Sequence, residues 1–144
     1  GGYLEASYAY EAGAAYATIL GVSDNLTIEG ALKAARDYDR KLVVDMICVE
    51  DLPTRIAKME EIGVDILAVH TGADQQAAGR EPIQDLQVMT EHAKKAQIAV
   101  AGGINSKTID KYVALKPEII IVGSAIGHAE DPVAEAKAIK DAML

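Results

Sequence analysis

Phenylalanine and tryptophan are absent from this sequence, and six tyrosines supply all of its aromatic content. A core of packed Phe and Trp rings is therefore excluded. Ile, Val, Leu, Ala and Met must fill the interior, a composition that suits parallel strands buried on both faces. The single cysteine, Cys48, rules out a disulfide framework and fits a reducing, cytoplasmic compartment. Cys48 itself reads as a small buried apolar filler. Basic residues are few: 14 Lys and Arg stand against 22 Asp and Glu, for a net charge of −8. With no basic stripe or cluster, neither nucleic acid nor an anionic membrane surface is expected as a partner. The charge does not exclude an anionic small molecule, because backbone N–H groups can hold a phosphate locally. No apolar run approaches the roughly 20 residues of a membrane span, and no leader pattern is visible. Zinc-spaced Cys/His clusters, P-loops, a Gly-x-Gly-x-x-Gly after a strand and Gly-x-Ser-x-Gly elbows are all missing.

What is present is alternation. Five short apolar runs, Tyr16–Leu20, Lys41–Ile47, Ile66–His70, Gln97–Ala101 and Ile119–Val122, are too short for helices and read as buried strands. Amphipathic stretches between them, Asn25–Tyr38, Leu52–Ile62, Ile83–Lys95, Ser106–Leu115 and Pro132–Met143, carry apolar residues at helical spacing. An opening helix, Tyr3–Ala12, precedes a glycine stop at Gly13. Asp24 and Asp51 read as N-caps, Asp131-Pro132 as a cap with proline at the first helical position, and Gly63 as a helix C-terminus. At 144 residues, the chain is sized for a single domain, residues 1–144. Strict β/α alternation, with a repeat of about 26 residues, predicts a parallel sheet with right-handed crossovers. Two architectures compete. A doubly wound sheet closes with five strands, whereas a (β/α)8 barrel needs eight and typically about 250 residues. Strand count favours the first and the loops favour the second. The fold class expected is α/β: a partial (β/α)8 TIM barrel with about five parallel strands and helices outside.

The loops after strands carry the chemistry in such folds. Gln97–Ala101 runs into Gly102-Gly103-Ile104, and Ile119–Val122 into Gly123-Ser124-Ala125-Ile126-Gly127, with room for a short helical turn. Two consecutive glycine loops, the second opening a short helix, match the phosphate site of many barrels. The plainer reading gives these glycines to tight turns. His70 ends a strand where a proton donor or acceptor would face the site; alternatively it is structural. Asp45 lies in an apolar strand, where a lone carboxylate is costly unless it serves a cation, hydroxyl or metal, or pairs with a Lys or Arg. His92 reads as solvated surface and His128 as a loop residue.

At these residues the chain resembles a known family. Val44-Asp45-Met46-Ile47, Val69-His70-Thr71-Gly72-x-Asp74-x-Gln76-Ala77-x-Gly79, Val100-Ala101-Gly102-Gly103-Ile104 and Val122-Gly123-Ser124-Ala125-Ile126 are similar, in order and spacing, to the 3-hexulose-6-phosphate synthases. These belong with the orotidine 5′-phosphate decarboxylase group of barrels. The related 3-keto-L-gulonate 6-phosphate decarboxylases usually carry Arg three residues after the His and another Arg in the last phosphate loop. Ala73 and Ser124 stand there in this chain, which favours the synthase.

The resemblance implies an aldehyde-lyase of the ribulose monophosphate pathway that joins formaldehyde to ribulose 5-phosphate, assisted by magnesium. It matches His70 to an acid–base histidine, Asp45 to an acidic substrate contact, and Gly102, Gly103, Gly123 and Ser124 to the phosphate loops. It also implies a homodimer with sites near the subunit interface. In the family, an Asp-x-Lys-x-x-Asp segment directly precedes a stretch like Gly1-Gly2-Tyr3, and earlier strands supply a further metal-site acid. On that pattern roughly 60 residues, including the metal ligands, lie outside this sequence. No metal ligand is therefore assigned within it. The alternatives are a decarboxylase of the related kind and a non-catalytic half-barrel that still binds phosphosugar.

Overall fold

The computed structural model describes residues 1–144. Helices and strands follow in the order α1 (Gly2–Glu11), β1 (Tyr16–Leu20), α2 (Asn25–Asp37), β2 (Lys41–Asp45), α3 (Leu52–Ile62), β3 (Ile66–His70), α4 (Ala73–Ala77), α5 (Pro82–His92), β4 (Gln97–Ala101), α6 (Ile109–Val113), β5 (Ile119–Ile121), α7 (Ser124–Gly127) and α8 (Pro132–Ala142). The expected caps are in place. Asp24 accepts from the Thr27 N–H at 2.9 Å, Asp51 from Thr54 at 3.2 Å and Asp131 from Ala134 at 3.0 Å. Gly63 ends α3 in the left-handed region at φ 101°. No helix is long and apolar enough to cross a membrane.

The strands form one parallel sheet in the order β1-β2-β3-β4-β5. A doubly wound sheet reverses its winding partway and places helices on both faces. Sequential order with right-handed crossovers places the connecting helices on one face, as in a barrel. The packing agrees. Leu42, Val44, Leu67, Val69 and Val100 join the helices in one large cluster. Val43, Ile66, Ala68 and Ala99 form a separate small cluster on the opposite face, with Ile119 against it. The result is an arc of five barrel strands. Its inner face is only partly covered: Tyr16 is 55% exposed, Leu20 49% and Ile121 43%.

The largest shortfalls from the expected bounds are in β2, α5 and α6, and at each a side chain takes backbone N–H groups. Strand β2 stops at Asp45 rather than Ile47, because the Asp45 carboxylate accepts the Ile47 N–H at 2.9 Å and turns the chain. The turn rotates Cys48 outward. Cys48 is exposed with φ 62°, not a buried filler, and Met46 and Val49 point inward instead. Helix α5 stops at His92 rather than Lys95, because Glu60 of α3 takes the N–H groups of Lys94, Lys95 and Ala96. Helix α6 begins at Ile109 rather than Ser106; Asn105 caps the turn before it, its side chain accepting the N–H groups of Lys107 and Thr108 at 2.8 and 3.1 Å. Helix α4 was not foreseen; it is a single five-residue turn too short to show periodicity.

Glu60 thus ties α3 to the entrance of β4. Burial, the largest single influence on its carboxyl, raises its pKa. The N–H groups of Ala96, Lys94 and Lys95 and the Lys95 charge outweigh that and hold it below the ordinary glutamate value of 4.5. Its contribution to stability is present above 4.5 and is lost as pH falls through the lower folded value. Glu60→Ala should cost about 1–2 kcal/mol at neutral pH, read from the urea midpoint. The gap between wild type and variant should close on acidification. A gap that persists at low pH would show that the carboxylate charge is not what holds the turn.

Candidate functional site

Period-two alternation selects which strand residues share the inner face. The register pairs Leu20 with Asp45, Asp45 with Ala68, His70 with Ala101, and Ala101 with Ile121. Asp45 and His70, 25 residues apart in sequence, therefore close adjacent strands on the same face. His70 Nδ1 lies 3.0 Å from Asp45 Oδ2. The other oxygen, Oδ1, accepts the Ile47 N–H. A carboxylate only accepts, so Nδ1 carries a proton in this network, and in the neutral imidazole Nε2 is the acceptor. The His70 side chain is 34% exposed and that of Asp45 22%. The partner of Asp45 is thus a histidine rather than a Lys or Arg.

Beyond His70 the chain is held tightly. Thr71 is 1% exposed, and its hydroxyl donates to Asp85 of α5 at 3.1 Å. The guanidinium of Arg80 grips both oxygens of the same carboxylate, at 3.0 and 2.9 Å. These hydrogen bonds to Asp85 raise the Arg80 pKa further. Arg55 fastens the loop after β1 similarly, donating to the carbonyls of Gly21 and Ser23, each at 2.7 Å. Sequence reading missed Arg55, Arg80 and Asp85. All three sit in polar helix or loop stretches where nothing separates them from surface charge.

The two glycine loops follow β4 and β5. Gly102 and Gly103 have φ of 101° and 67°. A Cβ on Gly102 would meet the Thr71 carbonyl oxygen at 2.8 Å, and one on Gly103 the Gln76 Oε1 at 2.8 Å. The pair is thus glycine partly for backbone conformation and partly for packing against the loop after His70. Gly123 has φ −116° and ψ −89°, and a Cβ there would meet nothing within 4 Å. Its N–H and those of Ser124 and Ala125 donate to no protein acceptor. They lie at the start of α7, the short helical turn expected there. The sheet therefore brings Asp45, His70, Gly102, Gly103, Gly123 and Ser124 to the ends of four successive strands. His92 and His128 are both exposed; His128 closes α7, its N–H donating to the Ser124 carbonyl at 2.8 Å. The largest cleft, about 620 Å³, lies elsewhere, between α1 and the unpaired edge of β1.

Comparison with known proteins bears on the family and the fold. The sequence profile of the orotidine 5'-phosphate decarboxylase / HUMPS family matches residues 1–139. The 3-hexulose-6-phosphate synthase of Staphylococcus haemolyticus is 44% identical over 139 residues, which are 96% of this chain and 66% of that protein. The crystal structure of 3-hexulose-6-phosphate synthase from Salmonella typhimurium superposes with a TM-score of 0.96 at 54% identity, covering 99% of this chain and 68% of that one. The 3-keto-L-gulonate-6-phosphate decarboxylase of Vibrio cholerae superposes with a TM-score of 0.82 at 20% identity, over 99% of this chain and 67% of that one; this likeness is one of fold. The chain spans about two thirds of the length of the relatives it matches.

Because the Gly102 position combines a left-handed backbone with a backbone contact that cannot retreat, Gly102→Ala should destabilise the protein by about 1–3 kcal/mol. Thermal melting checks this. An unchanged midpoint would mean that the loop shifts freely to accept a methyl group.

Proposed function

The chain belongs to the orotidine 5'-phosphate decarboxylase / HUMPS family, and on that premise we propose that its protein is an aldehyde-lyase joining formaldehyde to ribulose 5-phosphate. One observation supports this above the rest. The Asp45–His70 pair, at the ends of β2 and β3, stands at the same end of the sheet as the two glycine loops that follow β4 and β5, so a proton-transfer group and an anion-holding surface share one mouth.

In this reading the N–H groups of Gly102, Gly103, Gly123 and Ser124 hold the phosphate. Backbone donors in a fixed loop bind an anion without a basic side chain, which reconciles the ligand with a net charge of −8. Nε2 of His70 takes a proton from C1 of the ketose. The electron pair left on C1 attacks the formaldehyde carbon, a carbon–carbon bond forms, and the former aldehyde oxygen gains a proton. Asp45 keeps the imidazole in the accepting tautomer and stabilises it once protonated.

Magnesium, which the family resemblance implies, finds no group of three His, Cys, Asp or Glu side chains in residues 1–144. Asp45, the carboxylate at the mouth, already takes two donors. These residues do not by themselves make a magnesium site, and no step above passes through one. A cytoplasmic homodimer belongs to the same reading; sedimentation showing two copies per particle supports the dimer, and one copy defeats it. The decarboxylase alternative is supported only by fold, since Ala73 and Ser124 leave its two arginines without counterparts.

The test is consumption of formaldehyde with ribulose 5-phosphate in magnesium buffer. His70→Gln should lower kcat by about 10²–10⁴, with KM little changed. Asp45→Asn should lower kcat by less, about tenfold to a hundredfold, because it acts through the imidazole. Carbon dioxide release from a keto-acid phosphate, without condensation, would overturn the synthase in favour of the decarboxylase. Binding of ribulose 5-phosphate with no turnover would leave a phosphosugar-binding domain.

A further inference from the structure

We propose that Gln76 is a positioning residue that sets the anion-holding loop Gly102–Ile104 relative to His70; this rests on the phosphosugar reading above. Gln76 lies in α4, and its side chain turns back toward the sheet rather than out to solvent. Nε2 donates to the Thr71 carbonyl at 2.7 Å. That bond orients the amide, with nitrogen toward Thr71 and oxygen toward β4. A Cβ on Gly102 would lie 3.3 Å from Nε2, and one on Gly103 2.8 Å from Oε1. The amide therefore lies against one side of the glycine pair and fills the space that side chains would otherwise occupy.

The loop is anchored again at its far end. Glu135 of α8 accepts both the N–H and the hydroxyl of Ser106, each at 2.9 Å. Between these anchors the glycines hold left-handed conformations at φ 101° and 67°. A glycine pair without support samples many conformations, and its N–H groups would have to be ordered by the ligand at a cost in affinity. Gln76 removes part of that cost beforehand. Thr71 directly follows His70, so the same amide links the loop that holds the anion to the strand that carries the base. The separation between phosphate and reacting carbon is thereby set by one side chain with no need to touch the substrate.

Gln76→Ala and Gln76→Met should each weaken binding of inorganic phosphate and raise KM for ribulose 5-phosphate by about tenfold, the worth of one hydrogen bond. In both variants kcat should be little changed. A purely structural side chain would lower the amount of active protein and leave KM where it was, which would overturn the proposal. A second measurement isolates the contact. Gly103→Ala meets the Gln76 amide in the wild-type background but not when combined with Gln76→Ala, so the affinity loss of the double variant should be smaller than the product of the single losses. Multiplicative losses overturn the proposal. If the wild-type protein binds neither inorganic phosphate nor ribulose 5-phosphate, the phosphosugar reading fails and the positioning role with it. The same double-variant cycle read in thermal stability then still reports whether Gln76 and Gly103 are in contact, so the two failures are distinguishable.

Discussion

A parallel sheet wound in one direction has two unequal faces, and this inequality governs the molecule. Right-handed crossovers between sequential strands send the connecting helices to the outer face, the short α4 and α7 lying at the strand ends. Val44, Leu67, Val69 and Val100 are buried against those helices. The inner face receives the alternate residues, and at the strand ends these are Asp45, His70, Ala101 and Ile121. Further down the same face, the central strands β2 to β4 carry Val43, Ile66, Ala68 and Ala99. The position of the site is thus a consequence of winding and alternation before any particular chemistry is considered.

Within that frame, side chains that capture backbone N–H groups decide where elements stop. Asp45 ends its own strand through the Ile47 N–H and, with its second oxygen, orients His70. Two structural roles, ending a strand and orienting an imidazole, therefore meet in one carboxylate. Glu60 does the same for the entry to β4 and Asn105 for the exit from the first glycine loop. Asp45 and Glu60 each withdraw a segment from regular structure that its apolar pattern would have continued. Asp45 and Asn105 thereby tie the turns at the mouth of the arc, and Glu60 ties a turn at the opposite end of the sheet.

The outer strands of the arc are different. β1 and β5 each present an unpaired edge, and the exposed inner residues Tyr16, Leu20 and Ile121 belong to them. Val43, Ile66, Ala68 and Ala99 at the centre of the inner face are buried while its flanks are open, and a cleft of about 620 Å³ follows the β1 edge. The relatives that match this chain are about half as long again: it covers 66% of one and 68% of another. Asp45, His70, Gly102, Gly103, Gly123 and Ser124 stand at or just beyond the ends of the four strands β2 to β5, away from the β1 edge and its cleft.

Much of this was legible in the residues alone. Five β-branched runs separated by amphipathic stretches set the alternation, and Asp24, Asp51, Gly63 and Asp131 marked helix ends within a residue, because caps are local chemistry. The glycine pairs and strand-end His70 were visible for the same reason: a loop after a strand is a position in sequence. The choice between doubly wound sheet and barrel was not decided by strand counting; it needed the strand order, which is a matter of long-range pairing. Nor did the sequence show that Asp45 and His70 meet, that Arg80 and Thr71 share Asp85, or that Gln76 leans on Gly103. Local propensity acts over a few residues along the chain, whereas these contacts join residues on different elements, through register in one case and through folded-back side chains in the others. Only the folded sheet brings such partners within reach.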